Sequence, residues 1–156
     1  VTLPCHEWQH VMVVPAGHAL AGVPRPTLEQ LAAHPLVLYH PTVTGRTRID
    51  QAFERAALKP LVALEAIDSD VIKTYVRLGL GVGIVTELAM RDESGDAGLV
   101  AQPLGHLFGS NLTRVAFKRG AYLRRFVLAF AEMLSPRLSG ALIERAMAGQ
   151  GSDYQL

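Results

Sequence analysis

The sequence predicts an α/β fold, in which a mostly parallel sheet is covered by helices. Short runs rich in Val, Ile and Leu alternate with segments whose apolar residues recur at helical spacing. Strands that alternate with helices in this way are typical of a parallel sheet. With 156 residues, of which 49% are hydrophobic, the chain is long enough to bury one ordinary core.

The predicted strands are short runs of β-branched and large apolar residues. They occupy residues 7–14, 36–39, 61–66, 82–85, 99–101 and 112–117. The predicted helices have apolar residues three and four positions apart, and Pro35, Pro60 and Pro136 end three of them. They occupy residues 27–31, 46–58, 71–78, 122–134 and 138–148. Residues 91–98 are expected to form a surface loop, and residues 149–156 a frayed tail.

Composition and charge disfavour several classes of function. The formal net charge is +1, so no strong field attracts nucleic acid or an anionic membrane. Cys5 is the only cysteine, which excludes an intrachain disulfide and favours a reducing compartment. The sequence begins without Met and has neither a secretion signal nor an apolar run of roughly 20 residues. We therefore expect a cytoplasmic piece of a longer protein, with no membrane role.

The sequence contains none of the motifs that mark common enzymes. Residues 79–83 are rich in glycine, but they follow a helix and precede a strand, the reverse of a dinucleotide site. A helix stop and close packing are favoured there. Cys5, His6 and His10 lack a fourth metal ligand, and neighbouring strand residues point to opposite faces, which favours packing or polar surface roles. We expect no enzyme activity, cofactor or metal.

The turn between the second strand and the second helix is the best candidate site. Thr42, Thr44 and Gly45 lie where the first helical N–H groups have no partner, so they are a plausible cradle for a small anion. The alternative is that Thr44 simply caps the helix. Asp68 is likewise either a helix cap or part of a site. Trp8 is expected in packing, or as an indole donor at the edge of a cleft.

Three segments together resemble the effector-binding region of LysR-type transcriptional regulators. They are residues 3–8, 44–46 and the long block 68–83. More narrowly, they are similar to the CysB and Cbl branch, which regulates sulfur assimilation and cysteine biosynthesis. The resemblance implies a periplasmic-binding-protein-like (type 2) fold with two lobes joined by crossover strands. Residues 1–110 would form the second lobe, residues 111–148 a crossover strand and carboxyl-terminal helices of the first lobe, and residues 149–156 a disordered tail.

The resemblance also implies which residues bind the ligand. Trp8 and Thr44 match residues that line an anion cleft between the lobes, and we add Thr42, Gly45 and Asp68 to the predicted effector-binding set. The effector implied is sulfate, thiosulfate, O-acetylserine or N-acetylserine. This chain departs from the family at His6, where a tyrosine is usual, and at residues 41–43, where Phe-Gly-Phe is usual.

We therefore predict the ligand-sensing part of a regulator of sulfur or cysteine metabolism. DNA would be bound only through an amino-terminal winged helix-turn-helix outside this sequence. Self-association is expected, because a lobe lacking part of its chain exposes apolar surface. The alternative is a free-standing solute-binding protein or transport component with the same fold.

Overall fold

The computed structural model of the chain describes residues 1–90 and 96–149. Its strands are β1 Thr2–Pro15, β2 Leu36–Tyr39, β3 Val62–Ala66, β4 Val82–Thr86, β5 Leu99–Pro103 and β6 Ser110–Ala116. Its helices are α1 Leu28–Ala32, α2 Arg46–Arg55, α3 Ser69–Arg77, α4 Gly105–Phe108, α5 Arg125–Leu134 and α6 Gly140–Met147, with a 3-10 turn at Glu87–Ala89. Residues 91–95 of the predicted loop and residues 150–156 of the predicted tail lie outside the described residues. None of the described helices has the length and apolarity needed to cross a bilayer.

The chain forms two compact units, and β1 contributes to both. Unit 1 contains Val1–Glu7 and the chain from Leu112 onward, whereas unit 2 is Trp8–Asn111. The strands of unit 2 follow the order β3-β2-β4-β1-β5. Strand β2 is parallel to β3 and β4, but β1 is antiparallel to β4 and β5. The prediction of a mostly parallel sheet is therefore wrong for β1 and β5, since only β2, β3 and β4 are linked by helical crossovers.

The core of unit 2 lies on both faces of the sheet. Met12 and Val14 of β1 face one apolar cluster, and Val11 and Val13 face the other. This alternation follows from the pleat of a strand, and burial of both faces explains why the run is continuously apolar. Helix α2 covers the first face with Ile49 and Phe53. The second face is covered by α3, with Ile72 and Val76.

Helix α2 ends earlier than the predicted range of residues 46–58. Ala57 has a positive φ of 55°, and its N–H donates to the carbonyl of Glu54 at 3.0 Å. The N–H of Leu58 donates to the carbonyl of Phe53 at 2.9 Å, which completes a Schellman turn. The left-handed turn, and not Pro60, ends this helix.

The glycine-rich stretch after α3 stops the helix, as predicted. Gly79 has φ 79°, and its N–H donates to the carbonyl of Val76 at 2.9 Å. The N–H of Leu80 donates to the carbonyl of Tyr75 at 3.0 Å. A Cβ on Gly81 would lie 2.2 Å from the carbonyl oxygen of Pro35, so the close packing predicted there is also confirmed.

Unit 1 pairs β6 with the first residues of β1. Val1 and Phe117 exchange both backbone hydrogen bonds, at 2.9 and 2.8 Å, as opposed residues of antiparallel strands do. Leu3 packs there with residues of the carboxyl-terminal segment, which are Ala131, Leu138, Ile143 and Ala146. The predicted helix over residues 122–134 begins only at Arg125.

Candidate anion-binding site

Several strands of unit 2 begin or end at one edge of the sheet. Strand β2 ends at Tyr39, which is paired with Ala66 at the end of β3. Because β1 runs the opposite way, His10 near its entry into unit 2 is paired with Thr86 at the end of β4. In open α/β sheets, ligands bind outside the carboxyl ends of the parallel strands. Trp8, two residues before His10, therefore enters at the edge where a ligand is expected.

The loop between β2 and α2 is held in a folded turn at this edge. The N–H of His40 donates to the carbonyl of Ala66, and the N–H of Val43 donates to the carbonyl of His40, both at 2.9 Å. Thr42 Oγ1 lies 2.9 Å from His40 Nδ1. The hydroxyl of Thr42 is therefore already engaged within the loop.

Gly45 is the amino-terminal cap of α2, so the alternative in which Thr44 caps this helix is wrong. Gly45 has φ 94°, a left-handed conformation that glycine adopts readily, and no side chain caps the helix. Thr44 lies one residue upstream and is exposed. The structure gives the amides of Thr44, Gly45 and Thr47 no hydrogen-bond partner among the described residues. These donors lie at the positive end of the helix dipole.

Three aromatic rings, which we call the ring cluster, pack beneath the cap: Trp8, His10 and Phe108. The rings of Trp8 and His10 meet edge to face with centroids 5.2 Å apart, and those of His10 and Phe108 with centroids 6.0 Å apart. A Cβ on Gly45 would lie 2.9 Å from His10 Nε2 and 3.2 Å from Trp8 Cη2. The cap is therefore in direct contact with two of the rings.

His10 is fully buried, with 0% of its surface exposed. Neither ring nitrogen has a hydrogen-bond partner among the described residues. Burial, followed by the positive charge of Arg48, lowers the pKa of His10 to about 4. The imidazole is therefore uncharged at neutral pH, with one N–H donor and one acceptor nitrogen.

Arg46, the first residue of α2, links the start of this helix to strands β2 and β3 of the sheet. Its Nε donates to Asp50 and its Nη1 to Glu65, both at 2.8 Å, and Nη1 also donates to the carbonyl of Tyr39. Burial alone lowers the pKa of Arg46, but its hydrogen bonds to the two carboxylates outweigh burial and raise that pKa above its ordinary value. A charged anchor thus fixes the first turn of α2 to β2 and β3.

Asp68 lies outside the ring cluster, at the start of α3. Its carboxylate accepts a hydrogen bond of 2.6 Å from the N–H of Asp70, which is the role of an amino-terminal cap. The next residue, Ser69, places its hydroxyl 2.5 Å from the hydroxyl of Tyr39. A ligand contact by Asp68 stays a prediction.

The structure brings four of the five predicted site residues to one loop and its surroundings, and adds others that the sequence analysis missed. Trp8 contacts Gly45. Thr44 directly precedes Gly45 in the chain, and Thr42 lies in the same loop. The sequence predicts packing or a polar surface role for His10 and predicts no site role for Arg46 or Phe108. A polar residue directly before the apolar run of residues 11–14 is the signal in the sequence that could have identified His10.

Comparisons with known proteins identify the family of the chain. The LysR substrate binding domain model matches residues 1–139. The HTH-type transcriptional regulator CysB of Burkholderia cenocepacia is 52% identical over 156 residues, covering 100% of this chain and 50% of that protein. The regulator SsuR of the same organism is 48% identical over 143 residues, covering 92% of this chain and 46% of that protein.

A solved structure shows the same fold. The cofactor-binding domain of the Cbl transcriptional regulator superposes with a TM-score of 0.82 at 40% identity, covering 94% of this chain and 64% of that one. The chain spans about half the length of the curated relatives it matches. The predicted resemblance and the periplasmic-binding-protein-like fold are thereby confirmed. This chain belongs to the LysR substrate-binding domain family.

Proposed function

We propose that this chain is the ligand-sensing part of a LysR-type transcriptional regulator of sulfur or cysteine metabolism, and that unit 2 holds a small anionic effector at the amino terminus of α2. The contact between Trp8 and the Gly45 cap carries the proposal, because it places an aromatic wall beside unpaired backbone donors. Such donors, with the positive end of the helix dipole, form a site suited to anions.

The donors at this site match the chemistry of the proposed effectors. Sulfate, thiosulfate, O-acetylserine and N-acetylserine each present anionic oxygen acceptors. The hydroxyl of Thr44 and the amides of Thr44, Gly45 and Thr47 are uncharged donors, and hydrogen bonds from such groups to an anion are stronger than those between neutral groups. Trp8 reaches Gly45 with Cη2, the end of the indole away from its N–H. An apolar ring beside these donors lowers the local dielectric constant, which strengthens hydrogen bonds.

The names of the relatives support the regulatory part of the proposal. CysB, SsuR and Cbl are all described as HTH-type transcriptional regulators. We propose that the full-length protein is cytoplasmic and binds DNA through an amino-terminal winged helix-turn-helix. The effector would change DNA binding by stabilising one conformation of the protein over another. Residues 1–110 would be the second lobe of the sensor, and residues 111–148 would belong to the first.

Calorimetric titration of the full-length protein tests the anion site. Sulfate, thiosulfate, O-acetylserine and N-acetylserine would be titrated into the wild type, Thr44→Val and the control Thr2→Val, an exposed threonine of β1 in unit 1. Loss of one hydrogen bond to a charged group predicts an affinity about ten-fold weaker for Thr44→Val. Thr2→Val should bind like the wild type. Equal affinity in all three proteins, or no binding of any anion, would contradict the proposal.

We also propose that the chain self-associates through the apolar stripe of α5. Phe126, Phe130 and Met133 are 66%, 59% and 84% exposed. A patch of this kind favours contact with another apolar surface. Sedimentation velocity should show concentration-dependent association that Phe126→Glu with Phe130→Glu removes. A chain that stays monomeric over the whole concentration range would contradict this part.

A further inference from the structure

The ring of His10 is the one fully buried polar side chain of the ring cluster. Buried polar groups nearly always have hydrogen-bond partners, and leaving them unpaired costs stability. Both ring nitrogens of His10 lack a partner among the described residues. An apolar ring would fill the same space without that cost. Packing alone therefore does not explain a histidine at this position.

The orientation of the ring points to the anion site. The edge formed by Cε1 and Nε2 faces the backbone of Gly45, at 2.9 Å from the position of a Cβ there. Trp8 and Phe108 pack against the ring edge to face. Nε2 is therefore the polar atom packed against Gly45, the cap of α2, which is a helix of ten residues.

The local charge selects an anion rather than a cation. The guanidinium of Arg48 is close enough to lower the pKa of His10. The same positive charge repels a metal ion and attracts an oxyanion. An uncharged imidazole that carries its proton on Nε2 is a donor to such a ligand.

We propose that His10 is a ligand-binding residue of this site, whose Nε2–H donates to an oxyanion or carboxylate held by the first turn of α2. The inference rests on the proposed function and adds a contact that the sequence resemblance does not imply. The site would thus combine backbone amides, the hydroxyl of Thr44 and one imidazole N–H. Each of these groups can donate a hydrogen bond, so the site favours a fully ionised ligand whose oxygens all accept.

His10→Phe in the full-length protein separates binding from packing. Phenylalanine keeps an aromatic ring between Trp8 and Phe108 but removes both unpaired nitrogens. We expect a melting temperature equal to or above that of the wild type, together with affinity for sulfate at least about ten-fold weaker by calorimetry. His10→Gln, which retains a side-chain donor, should recover part of that affinity.

The outcomes distinguish this inference from the proposed function. If Thr44→Val weakens sulfate binding but His10→Phe does not, the inference is wrong and the anion site stands. A His10→Phe variant that is less stable than the wild type would give His10 a structural role and overturn the inference. In the wild type, saturating sulfate should shift the Nε2 nitrogen resonance of His10, and an unchanged resonance would also overturn it. If sulfate, thiosulfate, O-acetylserine and N-acetylserine all fail to bind the wild type, the proposed function falls as well.

Discussion

Gly45 and His10 pack so closely that no methyl group fits between them. A Cβ on Gly45 would lie 2.9 Å from both Cε1 and Nε2 of the imidazole. Gly45 also has φ 94°, where residues with a side chain are strained. The helix cap and the ring cluster are therefore packed directly against each other, and a change in either one displaces the other.

Gly45→Ala should destabilise the protein for both reasons. Gly79→Ala is the matched control, because Gly79 has φ 79° with nothing within 4 Å of the added methyl group. The control should lose about 1–2 kcal/mol from the left-handed backbone alone. Gly45→Ala should lose a further ~1–3 kcal/mol from overpacking against His10. Urea unfolding measures both losses.

Equal losses at the two glycines would contradict the close contact with His10. The double variant Gly45→Ala with His10→Ala gives an independent check. Since the second substitution removes the ring that the new methyl group meets, the double variant should lose less than the sum of the single losses. Additive losses would show that the two residues do not interact.

Arg46→Met should destabilise unit 2 by about 2–4 kcal/mol, because it leaves the Tyr39 carbonyl and Glu65 without their buried partner. The two carboxylates that Arg46 contacts are partly exposed, at 43% for Asp50 and 36% for Glu65, which limits the loss. Arg55→Met, in the exposed last turn of the same helix, is the control and should change stability by about 0.5 kcal/mol or less. Guanidinium unfolding that gives the same loss for both variants would contradict the anchoring role.

The stability of the wild type should fall as pH decreases from about 6.5 to about 4. Burial and then Arg48 lower the pKa of His10 from 6.5 to about 4 in the folded protein. Within that window the unfolded chain binds a proton at His10 and the folded chain does not, so acid favours unfolding. Above pH 6.5, protonation of His10 does not reduce the free energy of unfolding. As the pH falls to 4, protonation of His10 in the unfolded chain lowers that free energy by up to about 3 kcal/mol.

His10→Phe isolates this effect, because other groups also titrate in the same range. The pKa of His18, for example, is lowered by burial and then by His34. The variant should therefore keep part of the pH dependence while losing the share of His10. Parallel curves of unfolding free energy against pH for the two proteins would contradict the buried, neutral state of His10.

Lys73→Met should also be strongly destabilising. Lys73 is 1% exposed, and its Nζ donates to the carbonyl of Ala89 at 2.7 Å and lies 3.0 Å from Asp96. Removing the ammonium takes a positive charge away from the buried carboxylate of Asp96, which should lower the free energy of unfolding by about 3 kcal/mol. The control is Lys59→Met, an exposed lysine between α2 and β3. Thermal unfolding should give a clearly lower melting temperature for Lys73→Met than for Lys59→Met. Similar melting temperatures would contradict a stabilising role of the buried Lys73 contacts.

The order of elements could be predicted from the sequence, because each one is determined by local patterns. Within residues 1–90 and 96–149, apolar runs and helical spacing located each of the six strands and all the α-helices except the short α4. The stop at Gly79 follows from glycine's access to positive φ. The resemblance located Trp8 and Thr44, which the structure places next to Gly45.

The remaining features depend on tertiary contacts. No local pattern shows that β1 runs antiparallel to β4, because its apolar alternation is the same in either direction. The burial of His10 depends on Phe108, almost one hundred residues away in sequence. Ala57 ends α2 in a left-handed turn that alanine rarely adopts, so the sequence pointed to Pro60 instead.

We propose that an anion binds at the amino terminus of α2, beside the ring cluster. A crystal structure of the full-length protein soaked in selenate tests it most directly, because selenium scatters anomalously and selenate has the shape of sulfate. We expect an anomalous peak within hydrogen-bonding reach of the amides of Thr44 and Gly45 and of His10 Nε2. A peak elsewhere, such as at the start of α3 beside Asp68, with none at Gly45, would contradict it.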